Sequence, residues 1–248
     1  LEVRDEVYRV LEQARQAGFA NINLDIMHGL PGQLPAMAAN DLEQALALEP
    51  EHLSWYQLTI EPNTVFDANP PELPGEEILC DIQDRGSEIL TDAGFVQYEV
   101  SAWSRPGDEC RHNLNYWRFG DYLGIGAGAH EKLTLDSGIV RSARWRNPDR
   151  YQQKLAEDQR SVERKEPRGQ ELVFEFMLNA LRLRAGFTLE LYSRRTGLDP
   201  QTILPRLQRA KQRGLMETWG SDGWRPTDLG FRFLNDLQLL FLDDAAQG

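Results

Sequence analysis

The stretch Ala20-Asn21-Ile22-Asn23-Leu24-Asp25-Ile26-Met27-His28-Gly29-Leu30-Pro31-Gly32-Gln33 alternates polar and apolar side chains and then breaks at two glycines flanking a Leu-Pro pair. A period of two marks a half-buried strand over 20–26, and the Gly29 to Gly32 run marks the turn after it. Upstream, Val3, Val7, Val10, Leu11 and Ala14 recur at helical spacing until Gly18, so a helix over 3–17 feeds the strand. The same pair recurs downstream. An amphipathic helix over 36–48 closes at Pro50, and His52-Leu53-Ser54-Trp55-Tyr56-Gln57-Leu58-Thr59-Ile60 follows as a second strand. After a Pro-rich loop, a helix over 76–93 ends at Gly94, and Phe95-Val96-Gln97-Tyr98-Glu99-Val100 forms a third strand.

Strands separated by helices predict parallel pairing, because a parallel connection needs a crossover. The economical architecture is α/β, a (β/α) barrel or part of one, with functional groups at the C-terminal strand ends. Asp25, Thr59, Glu61 and Glu99 lie at or near such ends. Residues 103–147 are rich in aromatics, Gly and Arg, with strands expected at Tyr122–Ile125, buried, and at Ile139–Trp145, covering a pocket mouth. A helix from Pro148, a charged linker over 158–168 and a helix over 170–184 lead to a last unit. That unit has helices near 188–196 and 200–213, a strand over 215–219, a turn at 220–223 and a closing helix from Thr227. Two helices and a two-stranded wing predict a winged-helix-like domain. The expected domains are residues 1–160 and 165–248.

The chain has 248 residues, 41% of them hydrophobic, enough to bury a sizeable core. Its 27 Lys and Arg against 39 Asp and Glu give a net charge of -12, which disfavours loose attraction to nucleic acid and anionic membranes. The two cysteines, Cys80 and Cys110, form no CxxC pair, so neither a cluster nor a structural zinc site is built from them alone. No signal peptide and no apolar run of about 20 residues is present, and a cytoplasmic location is expected. The chain opens on a helical stripe without leader or methionine and reads as a fragment.

Four places carry candidate chemistry. Asp25, followed by a glycine turn, suits ribose hydroxyls or an amine, or merely caps the turn. Arg111, His112, Tyr116 and Trp117 place a cation, an imidazole and flat rings within seven positions, types that a haem pocket needs and that a buried aromatic cluster also uses. Gly124-Ile125-Gly126-Ala127-Gly128-Ala129-His130 fits G-x-G-x-x-A, but no helix follows it, so close packing or backbone approach to a flat ligand is the better reading. His130 faces a cofactor or caps a turn. In the tail, Arg194, Arg195, Arg206, Arg209, Lys211 and Arg213 offer a basic helix for a DNA groove, or a solvated face.

Taken in order, NINLDIMHGLPGQ, HLSWYQLTIEPNT, GFVQYEVSAWS and CRHNLNYWRFGDYLGIGAGAH resemble the part of HemW proteins that follows their cluster loop. HemW proteins are haem-handling relatives of oxygen-independent coproporphyrinogen III oxidase. The resemblance implies a partial barrel of radical S-adenosylmethionine type, a small C-terminal domain, a [4Fe-4S] cluster, S-adenosylmethionine as cofactor, and delivery of haem to haem-accepting proteins. It places Asp25 at adenosylmethionine and His112 in the stretch proposed for haem contact, with Arg111, Tyr116 and Trp117 beside it; His130 corresponds only by its place after GIGAGA. The family's CxxxCxxC loop has no counterpart in this sequence, so these 248 residues are expected to perform no radical chemistry and to leave the 20–26 strand at an open, aggregation-prone edge. The alternatives are the oxidase itself, decarboxylating porphyrinogen propionates, and a nucleic-acid-binding module. The sequence leaves the oligomeric state and the identity of the acceptor open.

Overall fold

The computed structural model describes residues 2–159 and 161–242, with the side chains of 2–5 left aside. The chain forms two compact units, residues 1–110 and 111–248, divided between Cys110 and Arg111.

The first unit runs α1 (Glu2–Gln16), β1 (Asn23–His28), α2 (Pro35–Leu46), β2 (His52–Gln57), a short α3 (Val65–Ala68), α4 (Glu76–Asp92), β3 (Val96–Glu99) and β4 (Ala102–Ser104). Strands β1 and β2 pair in parallel, Asn23 opposite His52, with α2 as the crossover. The expected parallel pairing of the third strand is corrected by the sheet order β1-β2-β4-β3. β3 runs in the same direction as β2 but does not touch it. The three-residue β4 folds back between them, antiparallel to both. A bulge between Gln97 and Glu99 accommodates the irregular register. β1 forms one edge of this sheet.

Period-two alternation sorts the side chains of the sheet. Leu24, Ile26, Leu53, Trp55 and Trp103 pack with Leu42 of α2 and Ile82 and Leu90 of α4. Trp55 is central here: its ring lies against His28 at a centroid distance of 4.4 Å and against Gly86 of α4. Gly86 is present because a methyl there would sit 2.0 Å from the Trp55 ring. Arg15 fastens α1, donating to both Glu51 carboxylate oxygens at 2.9 Å and to the carbonyls of Glu49 and Ala20.

The second unit runs α5 (Arg111–Trp117), β5 (His130–Leu135), β6 (Gly138–Ala143), α6 (Pro148–Ala156), β7 (Glu163–Lys165), α7 (Gly169–Ala180), β8 (Phe187–Thr188), α8 (Leu189–Thr196), a 3-10 turn (Pro200–Thr202), α9 (Leu204–Gln212), β9 (Met216–Trp219), β10 (Gly223–Pro226), α10 (Asp228–Arg232) and α11 (Leu234–Leu239). Residues 111–117, expected among loops and strands, form a helix. Tyr122–Ile125 is not a buried strand: Tyr122 makes one isolated bridge to Lys132, while Leu123 and Ile125 are 68% and 81% exposed. Its three glycines in seven residues, 124 to 130, deny it the regular ladder that its apolar content suggested. The wing has three strands, β8-β10-β9, because Phe187 and Thr188 pair with Trp224 and Gly223.

One core fills this unit. Phe176 lies edge-to-face with Phe119, Phe187 and Tyr192, and Ile139 of β6 joins the same cluster as Leu207 and Phe241. The segment 111–165 therefore packs with the C-terminal helices, which is why the compact division falls at residue 110. The charged linker 158–168 contains residue 160, which lies outside the described residues, as does the end of the chain after residue 242.

Gly86→Ala is expected to destabilise the chain by about 1–3 kcal/mol, because overpacking against Trp55 outweighs the ~1 kcal/mol that alanine gains over glycine in a helix. Urea denaturation of the two proteins measures the difference.

Candidate functional site

In the first unit the sheet face opposite α2 and α4 carries Asn23, Asp25, His52 and Ser54, brought side by side by the parallel register. Asp25 is the third residue of six-residue β1, inside the strand and not at its end as the sequence suggested. It is exposed, but its position is set by a chain of hydrogen bonds. The Tyr98 hydroxyl lies 2.8 Å from His52 Nε2, His52 Nδ1 lies 2.6 Å from Asn23 Oδ1, and the Asn23 amide donates to Asp25 Oδ1 at 2.7 Å. The Ser54 hydroxyl also donates to Asn23 Oδ1 at 3.1 Å.

The roles can be assigned from the ends. The Asn23 carbonyl only accepts, so His52 Nδ1 carries a proton, and Nε2 is then the acceptor for the Tyr98 hydroxyl. All donors point toward Asp25, which requires a neutral imidazole. Burial lowers the His52 pKa against the opposing pull of Asp25, Asp108 and Glu109, so the neutral form prevails near pH 7.

The turn after β1 is fixed separately. Buried Gln33 accepts from the backbone amides of Gly29 and Leu30 at 2.8 and 3.3 Å and donates to Asp41 at 2.9 Å. Gly29 has φ +70°, and a Cβ there would meet Leu79 Cδ2 at 2.9 Å. His28 is 3% exposed beside Trp55, and its Nδ1 is buried without a hydrogen-bond partner among the described residues.

In the second unit, helix α5 brings His112 and Tyr116 together at i,i+4, edge-to-face with centroids 4.7 Å apart. Tyr116 continues onto Tyr122 at 4.6 Å, whose hydroxyl accepts from Arg141, itself paired with Glu175. The helix is anchored by Lys132, a 1%-exposed side chain in β5. Its ammonium donates to the Phe119 carbonyl at 3.1 Å and to Asp121 at 2.8 Å, and lies 4.3 Å from the Phe119 ring centroid. Arg111 and His112 are exposed. Trp117 does not join them: its ring packs under the Arg182 guanidinium at 4.2 Å. His130 opens β5 rather than ending a strand, opposite Ala143.

The glycine-rich run therefore leads into a strand, against the dinucleotide reading. No group of three or more His, Cys, Asp or Glu side chains able to hold a metal exists among the described residues; Cys80 is exposed on α4 and Cys110 is partly buried. The residues present do not fit an iron–sulfur cluster. The tail's basic residues are partly engaged within the fold, Arg206 donating to Gln170 at 2.6 Å and Lys211 to Thr218 at 3.0 Å. Sequence reasoning missed His52, Tyr98 and Lys132, whose roles come from strand neighbours that no local pattern reveals.

The fold matches that of a solved structure. The structure superposes on Escherichia coli coproporphyrinogen III oxidase (HemN), a radical SAM enzyme, with a TM-score of 0.75 at 19% identity, covering 96% of this chain and 58% of that one. Residues 169–233 match the HemN C-terminal domain family. The chain is similar to the HemW haem chaperones: it is 46% identical over 239 residues to that of Escherichia coli K12 and 42% identical over 240 residues to that of Haemophilus influenzae, 96% of this chain in each case. It spans 62% and 61% of the length of those two proteins. No helix among the described residues is long and apolar enough to cross a membrane.

Stability is expected to fall with acid in a defined window. Burial lowers the His28 pKa to about 4, so the folded chain binds fewer protons than the unfolded one between pH 6.5 and 4. Stability is full above about 6.5, declines as pH falls and levels off below about 4, a loss of about 3 kcal/mol from His28 alone. His28→Phe should flatten a urea-denaturation profile across that range; an unchanged slope would contradict the assignment. For the hydrogen-bond chain, a double-mutant cycle of His52→Ala and Tyr98→Phe should show coupling of about 1 kcal/mol. Strict additivity would mean that the two groups do not interact.

Proposed function

We propose that the chain belongs to a haem chaperone of HemW type that binds haem and passes it to haem-accepting proteins. The observation that carries this reading is the 46% identity, over 96% of the chain, to a protein named as a haem chaperone. The 19% identity to the oxidase supports a common fold and gives no support to the oxidase activity.

Within that function, residues 1–160 are read as part of a (β/α) barrel of radical SAM type and 165–248 as a winged-helix-like domain. The parallel β1–α2–β2 crossover supports the first, and α8, α9 and the three-stranded wing support the second. The HemN C-terminal domain match over 169–233 falls inside the second.

His112 is the proposed iron ligand, an exposed imidazole on a face that also presents Tyr116, with the exposed cation Arg111 adjacent to it at the haem. Trp117 contributes by holding α5 against Arg182, and His130 lies farther along, on β5. Asp25 is the proposed adenosylmethionine contact, held by Asn23 with a free carboxylate oxygen for ribose hydroxyls or an amine. Adenosylmethionine and a [4Fe-4S] cluster would serve the whole protein, the cluster through cysteines that this sequence does not contain. A cytoplasmic setting, the compartment where such a cluster and reduced thiols persist, completes the reading.

Haemin titration of the chain, followed at the Soret band, tests it. Saturable one-to-one binding is expected, weakened at least tenfold by His112→Ala. Equal affinity in the two proteins would remove His112 as ligand, and absence of binding in both would overturn the function.

A further inference from the structure

The second unit contains a cleft of about 420 Å³ that the HNLNYW stretch does not line. Its walls are the end of the β5–β6 hairpin and the start of α6, with His130, Arg144, Trp145, Arg146 and Arg150 among the lining residues. In a chain of net charge -12 this is a local concentration of cations.

The three arginines are not equivalent. Arg144 is 13% exposed and fully used, donating to Glu131 at 2.9 Å, to Ser161 at 2.7 Å and to the Gly124 carbonyl at 2.9 Å. It builds the wall. Arg146 and Arg150 are exposed and have no carboxylate partner among the described residues. The nearby acid, Glu163, is already paired with Lys165 at 2.9 Å. Arg150 lies over the Trp145 ring at 4.1 Å, a contact that holds its guanidinium beside the indole, and its exposure leaves it open to a ligand. The Trp145 ring is itself held by its indole N–H donating to the Gln159 carbonyl at 3.3 Å. Gly128 brings the backbone close by donating to the Trp145 carbonyl at 2.9 Å, so the glycine run that fails as a dinucleotide loop forms one side of this cleft.

We infer that this cleft binds the carboxylate edge of a planar tetrapyrrole, with Arg146 and Arg150 pairing its two carboxylates and Trp145 as the flat support. This rests on the haem-chaperone reading and extends it to a site whose lining begins at Gly128, beyond the HNLNYW stretch in sequence. Two unpaired guanidiniums suit two carboxylates because each forms a charge-assisted, bidentate pair. The volume admits one edge of the macrocycle, within the range of small-molecule sites.

Metal-free mesoporphyrin IX, its dimethyl ester and haemin are titrated into the chain and into an Arg146→Glu/Arg150→Glu variant, following porphyrin absorbance and Trp fluorescence. Mesoporphyrin has no iron for a histidine ligand, so its affinity reports the carboxylate contacts. The diacid is expected to bind the parent at least tenfold more tightly than the ester and to lose at least tenfold in the variant, with the ester insensitive to the change. The Arg146→Lys/Arg150→Lys variant, which keeps both charges, should stay within a few fold of the parent. If haemin and mesoporphyrin bind parent and Glu variant alike, the cleft is not the carboxylate site while the chaperone reading stands. If the parent binds neither porphyrin, both fall. Displacement of the diacid by inorganic phosphate at constant ionic strength would assign the cleft to phosphate and overturn the proposal.

Discussion

A buried ammonium, that of Lys132, holds the second unit's candidate haem face in place. A lysine removed from water is costly unless its protons are satisfied, and here the Phe119 carbonyl, the Asp121 carboxylate and the Thr134 hydroxyl all receive it. Those partners lie just after α5 and within β5, so the requirement to satisfy one charge sets the helix carrying His112 and Tyr116 against the hairpin. Burial pulls the lysine pKa below its ordinary value, while Asp121 opposes that shift. Breaking such a pair by removing one partner leaves an uncompensated charge, and the cost of several kcal/mol makes the arrangement rigid rather than adjustable. The Tyr116–Tyr122–Arg141 contacts then extend the same joint toward α7.

The first unit solves a different problem. Its sheet is held to α2 and α4 by apolar packing around Trp55, and that leaves the other face to polar groups. Parallel register forces Asn23, Asp25, His52 and Ser54 to share that face, and a chain of donors settles them. The arrangement depends on the imidazole being neutral, the form that burial favours. Polar order on one face therefore follows from apolar packing on the other, through the period of the strand.

The long helices and the first two strands were legible because long amphipathic repeats and a glycine turn have few alternatives, whereas the seven-residue α5 is too short to show a repeat and was expected among loops and strands. β4 was not, since Ala102-Trp103-Ser104 is too short to show a period and lies directly after β3. The Tyr122–Ile125 segment misled for the opposite reason: its apolar residues suggested burial, yet glycines leave Leu123 and Ile125 in solvent. Asp25, His112 and Tyr116 could be singled out from residue type and spacing, and α5 brings the latter two together. Trp117 could not be separated from them by sequence, because its orientation is decided by Arg182, 65 positions away. His52, Tyr98 and Lys132 escaped notice since their meaning lies in cross-strand partners. The Arg146–Arg150 cleft escaped for a related reason, as only the structure distinguishes an arginine already paired, Arg144, from two that are not.

Hydrogen–deuterium exchange of the chain with and without haemin tests most directly whether haem is held by the second unit. Slowed exchange is expected at 111–122, where His112 and Tyr116 lie, and at 128–150, with 23–57 unchanged. Protection confined to 23–57, or none despite bound haemin, would contradict that account.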